Sequence, residues 1–139
     1  MPILSMHHSV KAVRTIAAVA GAATGKVVDR AGYQSVEIII SYGSVTSTTA
    51  TIIPVVKEGD VTGTMTSVAN ADLVGTELLA SITATTPRTS GVSKNVAKRI
   101  GYIGNKRYVS CDILQTTTAA APVAVTVLLG RPRSAPVAT

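Results

Sequence analysis

Apolar residues recur at every second position along most of this chain, and this period of two constrains the fold more than any other feature. Positions 36, 38, 40 and 42 are Val, Ile, Ile and Tyr, and positions 123, 125, 127 and 129 are Val, Val, Val and Leu. Successive side chains of a β-strand point to opposite faces of a sheet, so this spacing predicts strands that bury one face. Val and Thr are the commonest residues beside Ala, and both are β-branched, which favours strands over helices.

Short strand-like segments follow one another along the chain, with turn signals between them. About eight such segments are predicted: 11–20, 26–29, 36–42, 50–57, 64–68, 96–102, 107–115 and 123–130. A length of 139 residues fits one domain, so the pattern predicts a single all-β sandwich or barrel over residues 1–139. Residues 1–10 and 131–139 carry Pro and small side chains, and we expect them to form extended arms.

Four local features refine this prediction. Pro54 has no backbone N–H, so its strand position should lie at a sheet edge or a bulge. Residues 57–60 carry a turn signal, Lys-Glu-Gly-Asp. Residues 70–75 predict a short helical turn that ends at a glycine. The run Gly-Asn-Lys at 104–106 predicts a tight β-hairpin between the strands 96–102 and 107–115.

The residues that usually carry catalysis are few and dispersed. Gly21–Lys26 resembles a phosphate-binding loop, but it has three residues between its glycines, and Val27 stands where Ser or Thr would bind magnesium. His7 and His8 are adjacent in an expected arm, so they cannot readily chelate one ion together. Cys111 is the single cysteine and is expected to be a small buried residue, which favours assembly in a reducing cytoplasm. We therefore expect no enzyme activity, no cofactor and no metal site.

Positive charge is concentrated in the second part of the chain. The net charge of +6 divides into −1 up to residue 87 and +7 from residue 88 onward. This asymmetry predicts a contact with an acidic surface. The candidate interface residues are the eight basic side chains of the second part: Arg88, Lys94, Lys98, Arg99, Lys106, Arg107, Arg131 and Arg133.

Three interpretations of this basic set remain open at the level of sequence. It can bind an acidic protein surface, bind nucleic acid, or form a solvated face. Nucleic-acid modules usually add stacking aromatic rings to a basic groove, whereas Tyr102 and Tyr108 alternate with apolar positions as core residues do. We therefore expect no direct nucleic-acid partner. No run of 18 or more apolar residues occurs, so no membrane partner is expected either.

Three short motifs resemble a known family. Gly101–Val109 contains the pattern Gly-Tyr-x-Gly-x-Lys-Arg-Tyr-Val, and Arg30–Ser35 reads Arg-Ala-Gly-Tyr-Gln-Ser before the first long strand. Residues 127–136 close the chain with Val-Leu-Leu-Gly-Arg-Pro-Arg-Ser-Ala-Pro. In these segments the chain resembles the head cement proteins of tailed phages, podophages in particular. Such proteins are encoded beside the major capsid protein.

This resemblance implies a jelly-roll β-sandwich on the outside of a virion. The implied partner is an HK97-like major capsid protein, and the implied function is to stabilise contacts between capsomers. Members of the family act as dimers or other small oligomers, so a homo-oligomer is expected, with a dimer favoured. The alternative function is a stand-alone β-sandwich that binds a ligand or mediates adhesion.

Overall fold

The computed structural model describes residues 9–45, 51–83, 95–115 and 122–133. Within these ranges the chain forms ten β-strands, three of them only two residues long, and two short helical segments. The strands are β1 (Val10–Ala20), β2 (Val28–Asp29), β3 (Tyr33–Tyr42), β4 (Thr51–Val61), β5 (Thr64–Ser67), β6 (Leu73–Val74), β7 (Ile82–Thr83), β8 (Val96–Tyr102), β9 (Tyr108–Gln115) and β10 (Pro122–Pro132). A 3-10 helix covers Asn70–Asp72, and α1 covers Glu77–Ala80.

The strands form two antiparallel sheets. Sheet A has the order β1-β10-β3-β8-β6, and sheet B has the order β2-β9-β4-β5, with β7 also paired to β4. The prediction of an all-β sandwich is therefore confirmed.

Alternation along the strands places the core between the two sheets. On β3 and β10 the residues of the period-two pattern pair across sheet A, for example Ile38 with Val127. Both side chains are fully buried, as are Val56 and Cys111 on sheet B. Full burial of one such aliphatic side chain stabilises the fold by about 1.5–3 kcal/mol.

Pro54 lies in the interior of β4 but beside a gap in the sheet. On one side of β4 its described partners are β7, at Thr51 and Ile52, and β5, from Lys57 onward. In that gap the N–H of Val56 donates to the Glu77 carboxylate of α1 at 2.6 Å. Backbone groups two residues apart on a strand point to the same side, so the nitrogen of Pro54, like that of Val56, faces this gap. The missing N–H of Pro54 therefore costs no strand–strand hydrogen bond. At position 54 itself, the prediction that Pro54 lies at a sheet edge is therefore correct, although β4 as a whole lies inside sheet B.

The predicted hairpin between β8 and β9 is wrong. β8 pairs with β3 and β6 in sheet A, whereas β9 pairs with β2 and β4 in sheet B. Residues 103–107 therefore cross from one sheet to the other. Turn residues indicate that a chain reverses, but the choice of partner depends on packing: Ile100 and Val109 both point into the core from opposite sheets.

Several predicted boundaries also differ from the structure. Residues 57–60 belong to β4, because Glu58 and Gly59 pair with β9, and the turn follows at residues 62–63. Pro132 pairs with Tyr33, so β10 continues two residues into the segment expected as a C-terminal arm. Val10, expected as the last residue of the N-terminal arm, belongs to β1 and pairs with Gly130. Residues 1–8 and 134–139 of the two expected arms lie outside the described residues. The predicted helical turn at 70–75 is present only over Asn70–Asp72, as the 3-10 helix. Leu73 and Val74 form β6, and Gly75 at φ +88° follows that strand.

Candidate interaction surfaces

The predicted basic set does not form one continuous face. Arg88 and Lys94 lie outside the described residues. The other six are distributed over β8, the connection to β9 and the end of β10. They fall into three groups with different surroundings.

Lys98 is a structural cation. Its Nζ donates to the carbonyl oxygens of Leu79 at 3.0 Å and Ser81 at 2.9 Å, at the C-terminal end of α1. Unpaired carbonyls at a helix end carry partial negative charge, so an ammonium group is favoured there. The hydroxyl of Tyr42 donates to the Ala80 carbonyl at 2.7 Å and holds the same turn from the core side. Lys98 therefore helps to attach α1 to sheet A.

Lys106 and Arg107 are neutralised by acidic residues of the first part of the chain. Lys106 Nζ lies 2.5 Å from Asp60 Oδ2, and the Arg107 guanidinium donates to both carboxylate oxygens of Asp29, at 3.1 and 2.7 Å. The hydrogen bonding between these two side chains lowers the pKa of Asp29 and raises the pKa of Arg107. These two basic residues offer less free charge to a partner than the sequence suggests.

Arg99, Arg131 and Arg133 are the exposed cations of the set that have no close ion pair among the described residues. The Arg99 side chain is 81% exposed and lies 3.6 Å from Glu37, which is a loose ion pair. Arg131 has φ +52°, an uncommon conformation for a residue other than glycine. The side chains of Arg131 and Arg133 have no ion pair among the described residues. These three arginines are the part of the predicted set that remains available for an external contact.

Tyr102 joins the two sheets at the end of the sandwich where β8 leaves sheet A. Its hydroxyl donates to the carboxylate of Glu58 on β4 and accepts the backbone N–H of Lys106 at 3.1 Å. Burial, with the bond to Glu58, raises the pKa of Tyr102 to about 12. The Arg30 guanidinium lies 5.3 Å from the centre of the Tyr102 ring and donates to the Gly104 carbonyl at 2.8 Å. A Cβ at Gly104 would lie 2.5 Å from the Tyr102 hydroxyl oxygen, so this crossing needs glycine.

A second polar junction was not predicted from the sequence. Asp112 is buried on β9, with Oδ2 2.6 Å from Lys57 Nζ and Oδ1 accepting the backbone N–H of Gly25 at 2.8 Å. A Cβ at Gly25 would lie 2.0 Å from the Cys111 carbonyl oxygen. The segment 21–27 therefore runs directly along β9, where Ala23 exchanges two backbone hydrogen bonds with Ile113. The sequence signal was a carboxylate inside an otherwise apolar strand.

Three further cations, Lys11, Arg14 and Lys26, surround the outer edge of β1. All three are exposed, and none has an acidic partner within ion-pair distance among the described residues. A groove of about 380 Å³ lies beside them, between β1 and the segment that leads into β2. These residues lie in the part of the chain with a net charge of −1, so the distribution of charge along the sequence predicts no role for them.

Cys111 is fully buried, as expected, and burial raises its pKa to about 12. Within the described ranges no group of three or more His, Cys, Asp or Glu side chains could hold a metal ion. His7 and His8 lie outside those ranges. In the part of the chain that the structure describes, no helix is long and apolar enough to span a membrane.

Comparison with known proteins identifies similar folds but no family. No family model and no curated protein matches the sequence. The SPBc2 prophage-derived protein YomS has a similar structure, with 16% sequence identity and a TM-score of 0.54 over 88% of this chain and 93% of YomS. A chain from the disulfide-linked pili of Bacillus endospore appendages is 17% identical, with a TM-score of 0.39 over 88% of both chains. The YomS comparison supports the fold.

Proposed function

We propose that this protein is a structural component of a phage particle. It binds the outside of an HK97-like capsid and stabilises the contacts between capsomers. Its partner is the major capsid protein, and it reaches the virion surface after assembly in the host cytoplasm.

The position of the Gly101–Val109 motif is the observation that carries this proposal. Tyr102, Gly104, Lys106 and Arg107 contact one another or other parts of the sandwich at the crossing between the sheets. The motif that carries the resemblance to head cement proteins therefore helps to hold the two sheets of the sandwich together. A motif of this kind is expected to be shared by proteins with the same architecture and a structural function. The similar fold of a prophage-derived protein supports the same origin.

A particle-stabilising protein needs a stiff body and contacts that are repeated many times. Tyr102 and Asp112 tie elements of the sandwich together through buried or partly buried polar bonds. Weak contacts of each copy add to a large avidity across a capsid lattice. Arg99, Arg131 and Arg133 supply positive charge for an acidic capsid surface.

The protein acts as a homo-oligomer in this proposal, with a dimer favoured, and it contacts neither nucleic acid nor membrane directly. A mean hydropathy of +0.38 is high for a chain that works as a soluble monomer. On α1, Leu78 is 74% exposed and Leu79 is 71% exposed, which leaves apolar surface for subunit contacts. Sedimentation equilibrium of the purified chain tests this part, and a monomer at every concentration would contradict it.

Co-sedimentation with empty capsid shells tests the main proposal. Shells are assembled from the major capsid protein encoded in the same phage genome, without this chain, and purified chain is added over a series of salt concentrations. We expect saturable binding at a fixed ratio of copies, weaker binding at higher salt, and shells that resist heating better. Absence of binding at every ionic strength would reject the proposal and favour the stand-alone ligand-binding or adhesion module.

A further inference from the structure

Within the described ranges, the outer edge of β1 has backbone groups without a strand partner. The N–H of Gly43 donates to the carbonyl of Pro122, so Pro122 directs its backbone groups toward β3. The direction of the backbone N–H and C=O groups alternates from residue to residue along a strand. Val127 and Leu129 of β10 therefore direct these groups toward β1, where their partners are Val13 and Lys11.

The residues between these pairs, Ala12 and Arg14, therefore direct their N–H and C=O groups away from sheet A. Among the described residues, the hydrogen bond that closes this edge is Lys26 N–H to the Thr15 carbonyl, at 3.1 Å. The stretch 10–14 lies beyond that closure. Such a row of unpaired groups is a template for a further strand.

The groove beside this edge has the composition of a site for an alternating segment. Its lining includes the apolar residues Val13, Val28 and Leu129, together with the exposed Lys11 and Lys26. Asp29 also lines the groove, but its carboxylate is already paired with Arg107 at 2.7 Å. Every second side chain of an added strand can face the groove and the ammonium groups of Lys11 and Lys26, while the alternate side chains face the other side of the sheet.

The positive charge around the outer edge of β1 favours an acidic segment as its binding partner. Lys11, Arg14 and Lys26 have no acidic partner among the described residues, unlike Lys57, Lys106 and Arg107. Lysines on an exposed edge repel other basic strands, including a second copy of this edge. A segment with acidic residues at every second position, facing the groove, complements Lys11 and Lys26, and Arg14 on the opposite face of β1 adds to the positive charge around the edge.

We propose that the outer edge of β1 binds an extended acidic segment of the capsid protein as an added antiparallel or parallel strand. This inference rests on the proposed function for the source of the segment. The site itself is defined by the open backbone groups of 10–14, the groove and the three cations.

A peptide of eight residues with alternating Val and Glu tests the site directly. Binding to the full chain is measured by fluorescence polarisation at low salt, with an alternating Val and Lys peptide for comparison. We expect the acidic peptide to bind and the basic one not to. The double variant Lys11→Glu/Lys26→Glu should weaken binding about tenfold or more, because both attractions become repulsions. The matched variant Arg99→Glu/Arg131→Glu makes the same charge change elsewhere and should change binding by less than about twofold.

Hydrogen exchange separates strand addition from simple charge attraction. The amides of Ala12 and Arg14 should exchange several times more slowly with the acidic peptide bound, because a strand partner protects them. The alternating Val and Glu peptide with every backbone nitrogen methylated keeps the charge but lacks the N–H groups for pairing, and it should give no such protection.

The possible failures point to different conclusions. No acidic-peptide binding, unchanged exchange at Ala12 and Arg14, or equal losses in both double variants would overturn the β1 site, even if capsid shells still bind the chain. Peptide binding with protected amides, combined with no binding to capsid shells, would keep the acidic-strand site and overturn the capsid as its source.

Discussion

The hydroxyl of Tyr102 on β8 donates to the carboxylate of Glu58 on β4, and this bond joins sheet A to sheet B at the crossing between β8 and β9. The same hydroxyl accepts the N–H of Lys106, so it also positions the crossing itself. The Tyr102 hydroxyl oxygen thus bonds to Glu58, which is 44 residues away in sequence, and to the backbone of Lys106 in the crossing that follows β8.

Tyr102→Phe tests this junction. The substitution keeps the ring in the core but leaves the Lys106 N–H and one Glu58 oxygen without their partner. We expect the free energy of unfolding to fall by about 1–2 kcal/mol, measured by urea denaturation. Tyr108→Phe is the control, because the hydroxyl of the half-buried Tyr108 has no hydrogen bond to any residue that the structure describes, and its effect should stay within about 0.5 kcal/mol. Equal losses in both variants would argue against the junction.

Gly25→Ala tests the packing of the segment 21–27 along β9. Its Cβ would lie 2.0 Å from the Cys111 carbonyl oxygen, so the segment must move and strain its hydrogen bond to Asp112. We expect a loss of about 3 kcal/mol or more in unfolding free energy. Gly63→Ala is the matched control, since its Cβ would meet nothing within 4 Å, and it should be tolerated. A stable Gly25→Ala protein would contradict this close approach.

Substitutions of Asp112 separate its two interactions. Asp112→Asn can still accept the Gly25 N–H but loses the charge opposite Lys57, and we expect a loss of about 1–2 kcal/mol. Asp112→Ala leaves both partners unsatisfied, and we expect about 2–4 kcal/mol, limited because the Lys57 side chain is 36% exposed and can rehydrate. Thermal and urea unfolding measure both. Losses below about 0.5 kcal/mol in both variants would show that the carboxylate is dispensable.

Cys111 should be unreactive in the folded protein. Burial raises the pKa of its thiol from 9.0 to about 12, so the thiolate fraction at pH 8 falls about a thousandfold. The folded state keeps the proton where the unfolded state releases it, so unfolding free energy should decrease as pH rises above about 9. Alkylation kinetics in native buffer and in urea measure the first effect. Comparison with Cys111→Val between pH 9 and 10 measures the second, and equal slopes would contradict it.

Charge reversal of the exposed arginines tests their role in the proposed capsid contact. Arg99→Glu, Arg131→Glu and Arg133→Glu together should weaken co-sedimentation with capsid shells at least about tenfold, because three attractions become repulsions. The matched triple lysine variant keeps the charges and should bind within about threefold of the natural chain. Circular dichroism should show the same fold in both. Unchanged binding of the reversed variant would place the capsid contact elsewhere.

Local sequence pattern was sufficient where a structure depends on one strand at a time. The alternation in β3 and β10 identified their buried faces, since a side chain's face is determined by its position along its own strand. Pro54 was placed correctly beside a gap because the missing N–H is a property of that residue alone. The buried state of Cys111 followed from its apolar neighbours in the same way.

The candidate surfaces were harder to predict, because charge counted along the chain ignores partners from distant segments. Lys106 and Arg107 belong to the basic part of the sequence, yet Asp60 and Asp29 neutralise them in the fold. Lys11 and Lys26 belong to the part with a net negative charge, yet in the part of the chain that the structure describes they have no ion pair and lie beside an edge of β1 without a strand partner.

The sequence by itself determined that this chain forms strands and which residues those strands bury. Tertiary structure alone decided that β8 and β9 lie in different sheets, although the turn between them resembles a hairpin. The reason is physical: a turn specifies reversal over a few residues, whereas sheet membership depends on which distant strands cover the same core. The crossing stays in place through Tyr102 and Glu58, a pair that no local pattern connects.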